Sequence, residues 1–361
     1  MKSHNAFTVN LMSALLLTQF CATKSCASKE SEEYEKFGVK GVSTLGWNVH
    51  HGDPQEEAQE KVLNKTVPDL MAKHEYAKLD SLAESLRPKR PYARGTTPLG
   101  QFYDALELQD SALEDDWPVR LNDLTQWWKQ NPNSKTAPAA LVQFWAAYAW
   151  KARGTGFSDT VTPEGWKLFS ERLDKGANVL EQAKAKPDVC SMLYAFGQRI
   201  ALGQSWDKQK YDQLTNEAVQ KFPDRNIYYF NKIYYLQPRW HGGPNEWVDF
   251  AEKISNQTGG TNGDKLYAKL VWRILGQGLY ENILTEFPTI KWARIDKGLQ
   301  ALQKDYPDSV SVPSVRLRFA ILAGQKALAK QILNKLGNNI DIHTWRKKNY
   351  FFKTRKELLG N

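Results

Sequence analysis

The chain has 361 residues, 41% of them hydrophobic and 25% charged, with a formal net charge of +9. This balance is that of soluble globular proteins and excludes a collagen, a disulfide knot and a wholly disordered chain. At about 150 residues per domain the length suits roughly two domains, and 13 Trp, 15 Tyr and 15 Phe supply large side chains for a core.

Residues 1–27 read as a secretory signal. Lys2 precedes an apolar stretch densest at Leu11 to Leu17, and Ser25-Cys26-Ala27 sets small residues at a peptidase site. The apolar run is shorter than the roughly 18 residues a membrane span needs, and no later segment reaches that length. The expectation is a mature chain starting near Ser28, periplasmic or secreted, with no transmembrane segment. The leader holds Lys2, Lys24, Cys21 and Cys26, so the remainder carries +7 and a single cysteine, Cys190, which excludes intramolecular disulfides.

Residues 28–53 are polar and Gly-rich and read as a poorly ordered lead-in. His50, His51 and Asp53 have metal-ligand chemistry, but neighbours on a flexible stretch seldom converge on one ion, so no metal is expected. A helical core is predicted over 54–280. Tyr76, Leu79, Leu82 and Leu86 form one stripe, and Leu99, Phe102, Tyr103 and Leu106 another. Further helices are expected at about 117–130, 136–152, 207–221, 225–236, 244–257 and 262–280. Trp166, Phe169, Leu173, Ala177, Leu180 and Ala183 repeat at three and four residues, and Thr162-Pro163-Glu164 ahead of them is an N-cap with proline at the first helical position. Cys190, Leu193, Tyr194, Gly197 and Ala201 share one helical face, which places the thiol among apolar side chains as a buried, inert group.

Residues 281–361 read as C-terminal helical repeats with a basic tail. Val315, Leu317, Phe319 and Ile321 alternate as a strand would, but a lone strand has no partner in such a chain, so helix is expected. Val315 to Ala323, Gly324 and Gln325 to Leu336 look like one helix-turn-helix unit. Asn131-Pro132-Asn133-Ser134, Phe222-Pro223-Asp224, Phe287-Pro288 and Tyr306-Pro307-Asp308-Ser309 each close a helix and offer a cap to the next. These junctions are tetratricopeptide-like without a clean 34-residue period. The expected fold is all-α, a degenerate helical repeat (α-solenoid) or an irregular helical bundle.

Charge is unevenly placed. Residues 341–361 hold Arg346, Lys347, Lys348, Lys353, Arg355 and Lys356 against Asp341 and Glu357, whereas residues 104–123 hold seven acids against Arg120. In an exported protein the basic tail suits an anionic envelope surface or an acidic partner more than nucleic acid, the alternative being a merely solvated terminus, which is the more frequent case.

The middle of the chain resembles an uncharacterised bacterial family catalogued as domain of unknown function number four thousand and thirty-four. The residues that carry the resemblance are Tyr92-Ala93-Arg94-Gly95 with Leu99-Gly100-Gln101-Phe102-Tyr103, Asn131-Pro132-Asn133-Ser134, Tyr148 to Gly156, Trp166, Pro238 to Gly243 and Tyr267-Ala268. It covers roughly residues 72–275 and implies a helical, repeat-like fold with no established activity.

Two loops have the chemistry of a binding site. Arg153-Gly154-Thr155-Gly156-Phe157-Ser158-Asp159 follows a helix with Trp145, Tyr148 and Trp150 and precedes Trp166, so Arg153 and Asp159 could present opposite charges beside aromatic walls. The alternative is a helix cap with an Arg153–Asp159 structural pair. The second loop, Pro238-Arg239-Trp240-His241-Gly242-Gly243-Pro244, is followed by Trp247. Arg239 could hold a carboxylate or phosphate and His241 could contact a ligand, unless the loop is a rigid turn with Trp240 and Trp247 as core. No motif requires a cofactor. The leading expectation is an exported helical-repeat protein binding another protein or a cell-envelope component through a concave surface. One alternative is an envelope hydrolase with Trp166 and Trp240 as stacking platforms and His241 or Asp159 as acid-base. Another is an inhibitor or immunity protein using acidic segment 104–123.

Overall fold

The computed structural model describes residues 48–108, 112–345 and 348–359. The signal segment, most of the lead-in, and Arg346 and Lys347 of the tail lie outside them. The fold is all-α. Seventeen α-helices run α1 (Pro54–Ala72), α2 (Tyr76–Leu86), α3 (Pro98–Asp104), α4 (Asp116–Gln130), α5 (Thr136–Arg153), α6 (Pro163–Lys184), α7 (Ser191–Gly203), α8 (Lys208–Lys221), α9 (Ile227–Tyr235), α10 (Glu246–Thr258), α11 (Gly260–Gln277), α12 (Ile283–Glu286), α13 (Trp292–Asp305), α14 (Ser311–Leu322), α15 (Lys326–Leu336), α16 (Ile342–Trp345) and α17 (Lys348–Leu359) among the described residues. Two three-residue strands, β1 (Asn48–His50) and β2 (Asn339–Asp341), pair in parallel, with Val49 opposite Ile340.

The helix junctions follow from caps visible in the sequence. Thr162 accepts from the Gly165 amide at 3.0 Å, and the Ser134 hydroxyl accepts from the Thr136 and Ala137 amides. Ser309 accepts from the Val312 amide at 3.1 Å. Each cap satisfies amides that the first helical turn leaves free. α5 and α14 are buried almost all round, which explains why α14 lacks a clean helical stripe: Val312, Val315, Leu317, Phe319 and Ala320 occupy several of its faces.

Helices pack mainly on their chain neighbours, α5 on α6, α10 on α11 and α14 on α15, as in a degenerate repeat. One hydrophobic core runs from Leu63 to Phe319 without a break at residue 280, because Ile283, Phe287, Ile295 and Leu299 belong to it. A smaller cluster around Trp345 and Phe351 joins α14 and α15 to α17. The basic C-terminal segment is therefore helical over Lys348–Leu359, anchored by buried Phe351.

Two expectations are corrected. Residues 48–53 are ordered, since β1 adds to β2 and buried Asp53 accepts from Ser309 Oγ and from the Val310 and Ser311 amides, so it caps α14 and is no metal ligand. Cys190 is wholly buried as expected, yet it stands at the N-cap of α7 with polar neighbours. Its sulfur lies 2.9 Å from the Arg87 guanidinium and 3.1 Å from the Tyr103 hydroxyl.

Candidate functional site

α5 delivers Trp150 and Arg153 to its C-terminal end, where Gly154 at φ +73° turns the chain out of the helix. Arg153 folds back and donates to the Gly154 and Gly156 carbonyls at 3.2 and 3.0 Å. This holds its guanidinium 5.5 Å from the ring centres of both Trp150 and Trp166, within cation–π range. Phe169 closes the cluster edge-on to both indoles, at 5.0 and 5.8 Å. Trp166 itself is 39% exposed. It opens the stripe of α6 but precedes the part of that stripe buried on α5, which begins at Phe169.

The second loop meets the first here. Trp240 lies 5.7 Å from Trp150, ring edge to face, and 5.7 Å from Tyr234. Arg239 stands 4.8 Å over Tyr234, donating to Gln277 at 3.4 Å. Buried Tyr234 is the hub: Arg153, Arg199, Arg239 and Arg273 are all within electrostatic reach of it. Arg153, Arg239 and Arg273 have no carboxylate ion pair among the described residues. The result is an indole platform rimmed by guanidiniums whose remaining donors can meet a carboxylate or other oxyanion.

Three residues named from the sequence stand elsewhere. Asp159 is exposed on the single 3₁₀ turn Ser158–Thr160 and makes no ion pair with Arg153. The His241 ring stacks on Tyr235 at 4.6 Å, Tyr235 stacks on Tyr211 at 3.9 Å, and the buried Lys232 ammonium covers both tyrosines while pairing with Asp212 at 2.6 Å. Burial holds the His241 imidazole below its ordinary pKa. Trp247 is fully buried, edge-on to Phe287 at 5.0 Å, and is a core residue of α10. The turn that separates these fates is rigid, because a Cβ on Gly242 would fall 1.7 Å from the Leu236 carbonyl oxygen.

Beyond Tyr234 the inner surface carries a set of charges that sequence reading missed. Glu107 accepts from Arg199 at 3.1 Å and from Gln143 at 2.9 Å. The Asp104 side chain reaches solvent, yet desolvation, then neighbouring Glu107, pushes its carboxyl up to about 7. Burial likewise raises Glu60 to about 7. The acids of 104–123 thus have separate roles: Asp116 accepts from the Leu113 amide at 2.7 Å, and Asp123 lies 3.9 Å from His74. A cavity of about 10 Å³ among Leu106, Trp117, Gln143 and Phe144 has room for one water at most. No group of three metal-ligating side chains converges among the described residues, and no described helix is long and apolar enough to cross a membrane.

No family model, no curated protein and no solved structure matches this chain, so the meaning of the face rests on its own geometry.

Proposed function

We propose that the chain is an exported helical-repeat protein that binds another protein or a cell-envelope component through the face where α5, α6 and α9 meet. The observation that supports this is the convergence of Trp150, Trp166 and Trp240 with Arg153 and Arg239 around Tyr234. Aromatic and arginine side chains dominate contact energy in interfaces, and guanidiniums without carboxylates favour an anionic partner. The leader read at residues 1–27 carries the export, and periplasmic or secreted placement follows from it. Kinship with the uncharacterised bacterial family is part of the same reading and adds no activity.

A photocrosslinking side chain at Phe157, which is 64% exposed beside this face, tests the reading in cells expressing the full chain. One dominant adduct, lost in the Arg153→Gln, Arg239→Gln double variant, is the expected result. Adducts that the double variant leaves unchanged would overturn it.

A hydrolase reading has one observation in its favour: the Asp104 and Glu60 carboxyls are held near 7, where a general acid works best at neutral pH. It requires that Asp104→Asn, with an intact fold, abolish turnover of an envelope glycan or peptide.

A further inference from the structure

The α11 helix carries a second row of cations, apart from the indoles. Lys265, Lys269 and Arg273 recur every four residues and so lie along one face. Opposite them runs the segment between α2 and α3, which presents Arg90 and Arg94. Arg94 is paired with Glu56 at 2.9 Å. Lys265 holds Asp305 at 2.8 Å, and Arg90 reaches the same carboxylate at 3.9 Å and its backbone carbonyl at 3.1 Å. The Arg90 guanidinium lies 4.1 Å over the ring of Tyr306, whose hydroxyl donates to the Pro91 carbonyl at 2.8 Å. These contacts hold Arg90 and Lys265 in place around Asp305.

Between them stands Lys269, only 9% exposed. Its ammonium makes no hydrogen bond and no ion pair among the described residues, and its charged neighbours are Lys265, Arg90 and the already occupied Asp305. A buried cation beside two like charges is costly unless a negative group joins it. We infer that Lys269, Lys265 and Arg90 form a binding site for a phosphate-type oxyanion, reached from solvent past the largely exposed Arg90. An oxyanion there accepts from the Lys269 ammonium and from the unused Arg90 donors, and it balances the surplus of positive charge around Asp305. Burial, and then neighbouring Lys265, holds Lys269 down at about 8, so anion binding near that pH is expected to take up a proton. Lys269 precedes Gln277, which touches the aromatic face, by two helical turns, about 12 Å. The two sites are separate.

The test is calorimetric titration of the full chain with inorganic phosphate at constant ionic strength set by chloride. In parallel, the chain is sedimented with vesicles containing an anionic phospholipid. Wild type should bind phosphate, with proton uptake that varies with buffer ionisation enthalpy. Lys269→Met should weaken binding about ten-fold or more, the cost of losing one charge-assisted hydrogen bond. Arg90→Gln, at a largely exposed position, should weaken binding at a melting temperature lowered by a few degrees at most, which keeps the test valid if Lys269→Met does not fold. Binding to phosphate alone assigns a free or small phosphate ester. Vesicle binding lost in both variants assigns a lipid headgroup. Equal binding by wild type and variants, or binding to neither probe, would overturn the site.

Discussion

Trp240 and Trp247 flank the same turn and finish in opposite surroundings. Trp240 is half-buried against Trp150 and Tyr234, with Arg239 at its edge, whereas Trp247 is fully enclosed and touches Phe287. The helix that follows explains the second fate: Trp247, Val248, Ala251 and Ser255 form the buried stripe of α10. No such stripe surrounds Trp240, whose neighbours are rings and guanidiniums contributed by other helices. An indole beside a Gly-Gly-Pro turn is therefore uninformative until the periodicity on each side is followed outward.

The largest effect expected on this contrast is that of Trp247→Ala, a loss of roughly 3–5 kcal/mol in denaturant unfolding, as for other buried aromatics. Trp240→Ala should cost less, roughly 1–3 kcal/mol, and should also remove partner binding. Equal costs would break the comparison. Gly242→Ala attacks the turn itself; overpacking there should destabilise by about 1–3 kcal/mol, because the contact is with backbone that cannot rotate away.

Asp104→Asn sharpens the contrast through pH. Because the native carboxyl is raised to about 7, the folded state binds its proton more tightly than the unfolded chain, whose aspartate titrates near 4. Wild-type stability from this group is full below about pH 4 and is lost as pH rises through 7. The variant should match wild type near pH 4 and exceed it increasingly up to about pH 7.5, as followed by melting temperature. A constant offset at every pH would show that the Asp104 carboxyl is not raised. The smallest stability change belongs to the Arg153→Gln, Arg239→Gln double variant. It should cost no more than about 1 kcal/mol, since what is lost is partly exposed hydrogen bonds and ring contacts and no carboxylate pair.

Much of the helical fold was legible because helices declare themselves locally. Thr162, Ser134 and Ser309 are caps recognisable from three or four residues, and the stripes of α2 and α6 need only their own sequence. The site was half legible. Arg153, Trp166, Arg239 and Trp240 stood out by residue type beside glycines, but nothing local says that residues 150 and 240 touch. Tyr234 lies in a run of aromatics, Ile227–Tyr235, that reads as core throughout. Asp104 carries no motif, and its raised pKa comes from burial and then from Glu107, neither of which a local pattern announces. The lead-in was misjudged over residues 48–53 for a related reason: a three-residue strand and one capping aspartate acquire meaning only from partners about 260 to 290 residues away.

That last contact changes how the array should come apart. Stacked repeats usually lose their outer units first, because an end unit has a neighbour on one side only. Here the first described elements grip the last, with β1 on β2 and Asp53 on the N-terminus of α14. With the first described elements tied to elements near the C-terminal end, unfolding of the described helices should be more cooperative than a peeling from one side.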